Sequence, residues 1–288
     1  MSLEFLALQV LNGLTFAALL FLVASGFTLV FGVMRIVNLA HGALYLLGGS
    51  IGISVAAVTG SWVLGVVAAG VSVGLVGLFS DRVLLRRVRG RELPEVLLTV
   101  GIALVIADLI LAVFGGNPRS ADPPPPLVGG TPIGPITYPT YRLFVIAFAV
   151  VVGVLLAVVQ QRTRIGAVLR AGVDDREMVS AMGIDVDRVF AVMFLVGSVL
   201  AGTAGMIAAG LLTIRPGADT EILLFALVVV IVGGLGSIGG AALGSVLIGL
   251  IDAFSRVWLP ELSYFAIFAP MAIILVLRPA GLFGRSTS

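Results

Sequence analysis

Residues 222–251 read ILLFALVVVIVGGLGSIGGAALGSVLIGLI. A continuous helix of that length would span about 45 Å at 1.5 Å per residue, against a hydrocarbon core of about 30 Å. The stretch is too long for one straight crossing, and glycines 233, 234, 236, 239 and 240 gather in its middle. We read two short or broken helices meeting at GGLGSIGG (233–240), the second running to about Trp258. Non-helical backbone at that depth is tolerated only against protein or beside a water-filled cavity, and interrupted helices often mark transporter sites. Gly233, Gly234, Gly236 and Ser237 are therefore candidates for lining a translocation path. The competing reading is close helix packing through small residues, which the spacing Gly236–Gly240–Gly244 also fits.

The rest of the chain has the same character. Of 288 residues, 59% are hydrophobic and 11% charged, with mean hydropathy +1.20; a soluble domain carries roughly 25% charged residues. The fold class is all-α and polytopic, a single transmembrane domain over 1–288 with eight or nine membrane helices, some short or broken. Cysteine is absent, which excludes disulfides, thiol nucleophiles and thiolate metal sites, and a single His excludes His-rich metal sites. All 17 basic residues are Arg. A chain without Lys holds no Walker A motif, so any ATP that drives it is hydrolysed on another subunit. No pair of acids, triad or metal cluster points to an enzyme. The net charge of +2 is small and the Arg residues sit in loops beside spans, a positive-inside pattern rather than a nucleic-acid footprint. The N-terminus MSLEFLALQ has no basic region and no small-residue cleavage site, so no removable signal peptide is expected.

Residues 3–33 exceed one span, and we expect an interfacial stretch that breaks at Asn12–Gly13. Further spans are expected at 40–59, 62–80, 96–115, 142–159, 189–213 and 263–277. Five Arg (82, 86, 87, 89, 91) within 81–95 make the strongest positive-inside signal and place that loop in the cytoplasm. The Pro/Gly-rich stretch 116–141 then lies outside, with a stiff polyproline II run at Pro123 to Pro126. Alternation puts the N-terminus outside and the C-terminus inside if 222–258 crosses twice, for nine crossings; a single crossing gives eight.

The loop 160–188, QQRTRIGAVLRAGVDDREMVSAMGIDVDR, carries 10 of the chain's 32 formal charges. Asp174 can cap a short helix with Glu177 at its third position. Gly183 can close that helix in the left-handed conformation, and Asp185 or Asp187 can cap the next. Met178, Val179 and Met182 are then available for an apolar contact. A docking surface for a soluble partner and a solvated connector both fit this composition.

Three groups within or beside spans invite chemistry. His41, beside Asn38 and Gly42 in MRIVNLAHG, suits a proton relay or ligand contact, or simply the satisfaction of loop backbone. Asp108 lies mid-span, where an ionisable group is a functional candidate. Asp252 and Arg256, spaced i,i+4, read as a local ion pair. There is no ladder of intramembrane carboxylates, which argues against a proton- or sodium-coupled pump.

The segments 25–52, 169–210, 226–252 and 277–284 resemble the LivH-type permease subunit of branched-chain amino acid ATP-binding-cassette (ABC) importers, through FGVMRIVNLAHG, DREMVSAMGI and GGLGSIGG. The resemblance covers nearly the whole chain, in order. It implies the ABC importer permease fold, in a bacterial or archaeal plasma membrane and in contact with its lipid. It implies a LivM-like permease partner, two ATPase subunits that use ATP and Mg, an extracytoplasmic substrate-binding protein, no cofactor bound by this chain and no nucleic acid. It also implies that Arg170, Asp174, Asp175, Arg176, Glu177, Ala181 and Gly183 form the loop that engages the ATPases. Urea and short-amide importers use very similar permeases, so the cargo is less specified than the machine. The family commonly has a polar uncharged residue where Asp108 stands. The rival class is an ion-coupled secondary transporter with Asp108 and His41 as coupling groups.

Overall fold

The computed structural model describes residues 2–34, 37–163, 166–168, 171, 178, 182–278 and 280–283. Among these residues it contains nine α-helices and one hairpin: α1 Leu3–Met34, α2 His41–Thr59, α3 Trp62–Phe79, α4 Glu92–Phe114, β1 Gly130–Ile133, β2 Ile136–Pro139, α5 Thr140–Arg162, α6 Val186–Ala208, α7 Ala218–Gly233, α8 Ile238–Trp258 and α9 Ser263–Leu277. Among the described residues eight helical segments are long and apolar enough to cross a membrane, the last being α9 together with the 3₁₀ turn Pro260–Leu262 before it. The ninth, α7, has 16 residues and reaches only about 24 Å. The 222–258 region is indeed two helices, divided between Gly233 and Ile238.

α6 is the hub. It packs against α1, α2 and α3, and glycines set the distance at each crossing. A Cβ on Gly26 of α1 would stand 2.6 Å from the Gly197 carbonyl oxygen, and one on Gly202 would stand 2.5 Å from that of Ala69 in α3. A Cβ on Gly52 of α2 would stand 2.7 Å from Met206 Sδ. The face Gly197–Ala201–Gly205 repeats a small residue every fourth position, which lets backbones meet where lipid offers no hydrophobic drive to associate. α1 and α8 approach in the same way, with Gly13 against Gly249.

α1 does not break at Asn12–Gly13; it is one helix of 32 residues. Two contacts remove the reason for a break. Asn12 Oδ1 accepts hydrogen bonds from Tyr138 Oη (3.1 Å) and Arg142 Nη1 (2.7 Å), and Gly13 is needed small where α8 passes. The stretch 81–95 is also less of a loop than its charge suggested. α3 runs on through a π-turn, Ser80–Leu84, and a 3₁₀ turn, Leu85–Arg87, and α4 starts at Glu92. The proline run is only partly extended. Pro124 has polyproline II angles (φ −63°, ψ 148°), but Pro125–Leu127 close a 3₁₀ turn. The hairpin that follows, with Thr131 opposite Tyr138, sends Tyr138 inward to Thr15 Oγ1 at 3.0 Å. Arg119 and Ile214 exchange backbone hydrogen bonds of 2.9 and 2.8 Å, so 116–141 is fastened to the helices rather than free.

The α1–α8 crossing gives a test. A Cβ on Gly249 would lie 2.5 Å from Gly13 O and 2.7 Å from Ala17 N, whereas one on Gly101 meets nothing within 4 Å. Gly249→Val should destabilise by about 1–3 kcal/mol through overpacking, and Gly101→Ala should be neutral or stabilising by up to about 1 kcal/mol through helix propensity. Melting temperatures in detergent read both.

Candidate functional site

The turn 234–237 is built so that an interrupted backbone stays satisfied. α7 ends on Gly234 (φ 103°) and Gly236 (φ 81°), left-handed angles that favour glycine. Ser237 caps α8 by accepting from Gly240 N at 3.0 Å. The carbonyls that α7 leaves open find partners far along the chain. Leu282 N donates to Val232 O and Phe283 N to Gly233 O, each at 3.0 Å. Gly281 (φ 78°) permits this approach, since its Cβ would lie 2.6 Å from Ile231 O. Gly233 and Gly234 are buried in these contacts, Gly236 and Ser237 are half-buried, and Gly236 lies against Gly32 of α1. Gly244 packs on α7 as well, its Cβ position 2.6 Å from Val229 O. The helix break and the small-residue packing are thus one feature.

Asn38, His41 and Gly42 come together at a second irregular point. α2 begins inside the protein, with Asn38 at 3% and His41 at 1% exposure. Asn38 Oδ1 accepts from Ala40 N (3.1 Å), its carbonyl from His41 N (3.2 Å), and Thr99 Oγ1 of α4 accepts from Leu39 N (3.2 Å). His41 Nε2 lies 3.0 Å from Val23 O of α1. A carbonyl only accepts, so Nε2 carries the proton. The ring stands edge-on to Phe27, centroids 5.6 Å apart. Gly26, which His41 touches, lies about 12 Å short of the end of α1. Gly42 is enclosed by Asp219 and Leu223 of α7. Asn38 Nδ2 and His41 Nδ1 are buried with no hydrogen-bond partner among the described residues.

Asp108 joins neither group. It is exposed on the face of α4 that carries Leu104, Val105 and Leu109, while Ile102, Ile106 and Ile110 face the core. Asp252 and Arg256 form the anticipated pair, with Arg256 Nε 2.8 Å from both carboxylate oxygens.

Of the charged loop, Arg170, Asp174, Asp175, Arg176, Glu177 and Ala181 lie outside the described residues. Its downstream end is described. Met182 N donates to Met178 O at 3.1 Å, both methionines are exposed, and Gly183 has φ 81°. Asp185, rather than Asp187, caps α6 by accepting from Arg188 N at 3.1 Å.

Asp187 is engaged elsewhere, in a cluster that sequence reasoning did not single out. Arg89 donates from Nη1 to Asp187 Oδ1 at 2.7 Å and from Nη2 to Asp81 Oδ1, with its guanidinium 4.8 Å from the centroid of the Phe190 ring. The Arg89 side chain is 7% exposed and that of Asp81 2%. Arg89 reads as one of five similar loop arginines; Asp81 is eight residues away but Asp187 is 98, so no local pattern announces the bridge. No group of three or more metal-ligating side chains is found among the described residues.

The sealed turn makes a prediction. Gly281→Ala adds a side chain at a left-handed position and against α7, at a cost of about 1–3 kcal/mol. Amide exchange at Leu282 and Phe283 should quicken, as followed by hydrogen–deuterium exchange with mass spectrometry.

Comparison with known proteins places this architecture. The branched-chain amino acid permease BraD of Pseudomonas aeruginosa is 29% identical, over 96% of this chain and 95% of that protein. LivH of Escherichia coli is 28% identical over 96% and 95%, and a probable LivH of Methanocaldococcus jannaschii is 27% identical over 87% and 82%. Residues 9–277 match the family described as "Branched-chain amino acid transport system / permease component". That match includes the interrupted α7–α8 pair, the buried start of α2 and the charged loop, and the chain belongs to this family of multi-pass transport permeases.

Proposed function

We propose that this chain is one permease half of an ABC importer for branched-chain amino acids. The observation that carries this reading is the unbroken family match from residue 9 to 277, joined to relatives of nearly equal length that are named as branched-chain amino acid permeases. A LivM-like second permease would complete the path, two ATPases would use ATP and Mg below it, and an extracytoplasmic binding protein would deliver the cargo. The chain itself would perform no catalysis and hold no cofactor. The N-terminus would lie outside and the C-terminus in the cytoplasm, where 160–188 would meet the ATPases.

The path would run beside the α7–α8 turn and the buried start of α2. The polar groups there include backbone and the side chains of Asn38, His41, Thr99 and Ser237, with Gly42, Gly233, Gly234 and Gly236 keeping the helices close. Such a lining has little to discriminate one side chain from another, so selection would rest on the binding protein. Asp108, on the outer face of α4, is too costly a group to leave in lipid; the second permease would cover it.

The test is uptake into proteoliposomes that hold this chain with its co-purifying subunits, with binding protein outside and ATP within. Labelled leucine should accumulate and labelled urea should not; urea uptake alone would keep the machine and change the cargo. Replacing Asp175 and Glu177 with Arg should abolish leucine uptake while the chain stays membrane-inserted. Asp108→Asn should largely retain uptake, and its loss would instead favour an ion-coupled carrier.

A further inference from the structure

The Arg89 cluster sits where the charged loop re-enters the helices. Asp187 is in the first turn of α6, two residues after the cap at Asp185 and four after Gly183. Asp81 is in the π-turn that ends α3. One guanidinium therefore bridges the start of α6 to the α3–α4 connection, with Phe190 of α6 beneath it. Arg86 adds a longer contact, its Nε 3.7 Å from Asp187 Oδ2. Just below, Val30 of α1, Leu85 of the connection and Phe194 of α6 form a separate buried cluster against Leu98 of α4. The connection is tied down on its own side too, because Gly90 N donates to Glu95 Oε2 of α4 at 3.3 Å.

A buried cation held by two carboxylates is poor evidence for stability, because desolvation offsets much of its attraction. It does fix geometry. The fork of Arg donates along two directions at once, and a Lys ammonium cannot reproduce that planar arrangement. We infer that Arg89 is a positioning residue that makes the start of α6 and the α3–α4 connection move as one body. A displacement of the charged loop then reaches α1, α2 and α3, all of which pack on α6. The inference rests on the proposed ATPase contact of 160–188. Within that reading it names the joint through which the motion enters the helices.

The experiment measures substrate moved per ATP hydrolysed by the full complex in proteoliposomes. Arg89→Gln should leave the complex assembled and its ATPase rate within about two-fold, yet lower the transport-to-hydrolysis ratio by about ten-fold. Arg89→Lys should not restore the ratio, because charge without the fork does not bridge both carboxylates. If Arg89→Gln does not assemble, Asp187→Asn serves, since the Asp187 side chain is 41% exposed and water can solvate the amide there; it should lower the ratio as well. An unchanged ratio, with transport and hydrolysis falling together, overturns the joint and leaves the importer reading intact. Full rescue by Lys also overturns it. Absence of ATP-dependent uptake by the unaltered complex overturns both.

Discussion

Backbone carbonyls inside a bilayer have no water to accept from, and this constraint governs the whole design. A chain that interrupts a helix in the membrane must supply substitute donors from its own structure. Here the open carbonyls at the buried end of α7 take them from Leu282 and Phe283, fifty residues on in sequence. The C-terminal segment is thus part of the α7–α8 turn, and α9, which precedes it, is held to the bundle by that engagement and by its packing on α7 and α8. At the buried start of α2 the open groups are N–H donors, and they find acceptors in Asn38 Oδ1, Thr99 Oγ1 and the backbone carbonyl of Asn38.

Glycine makes both solutions fit. The close crossings at Gly26–Gly197, Gly48–Gly202, Gly13–Gly249 and Gly233–Gly240 bring backbones together without side chains between them. This matters in lipid, where association rests on packing and hydrogen bonds rather than on the exclusion of water. α6 packs directly on α1, α2 and α3, so under the proposed joint a displacement that enters at one end of α6 would be felt by all three. A permease driven by another subunit needs this property, and it places weight on the few side chains, Arg89 foremost, that fix the end of α6.

The sequence disclosed the architecture through length and glycine. Thirty apolar residues with five central glycines could not be one helix, and the turn lies where they cluster. It misled where a local polar group had a distant partner. Asn12 looked like a break because nothing nearby satisfied it; Tyr138 and Arg142 do so from 126 and 130 residues away. Arg89 was lost among equals because the partner that makes it a bridge, Asp187, is 98 residues away. Asp108 was conspicuous in a hydropathy profile, but periodicity around it assigns Ile102, Ile106 and Ile110 to the core and turns the carboxylate outward. The cap of α6 was readable as Asp185 or Asp187 because its partner, Arg188 N, is three residues from Asp185, and Gly183 takes the left-handed angle expected of it.

That separate ATPases, and no ion gradient, drive movement through this chain is what the proposed function stands on. Its most direct test is the energy source of uptake in the reconstituted complex. Internal ATP would be depleted in one sample, and proton and sodium gradients collapsed by ionophores in another. The account predicts that accumulation stops on ATP depletion and is indifferent to the ionophores. Accumulation that survives without ATP and collapses with the gradients would contradict it.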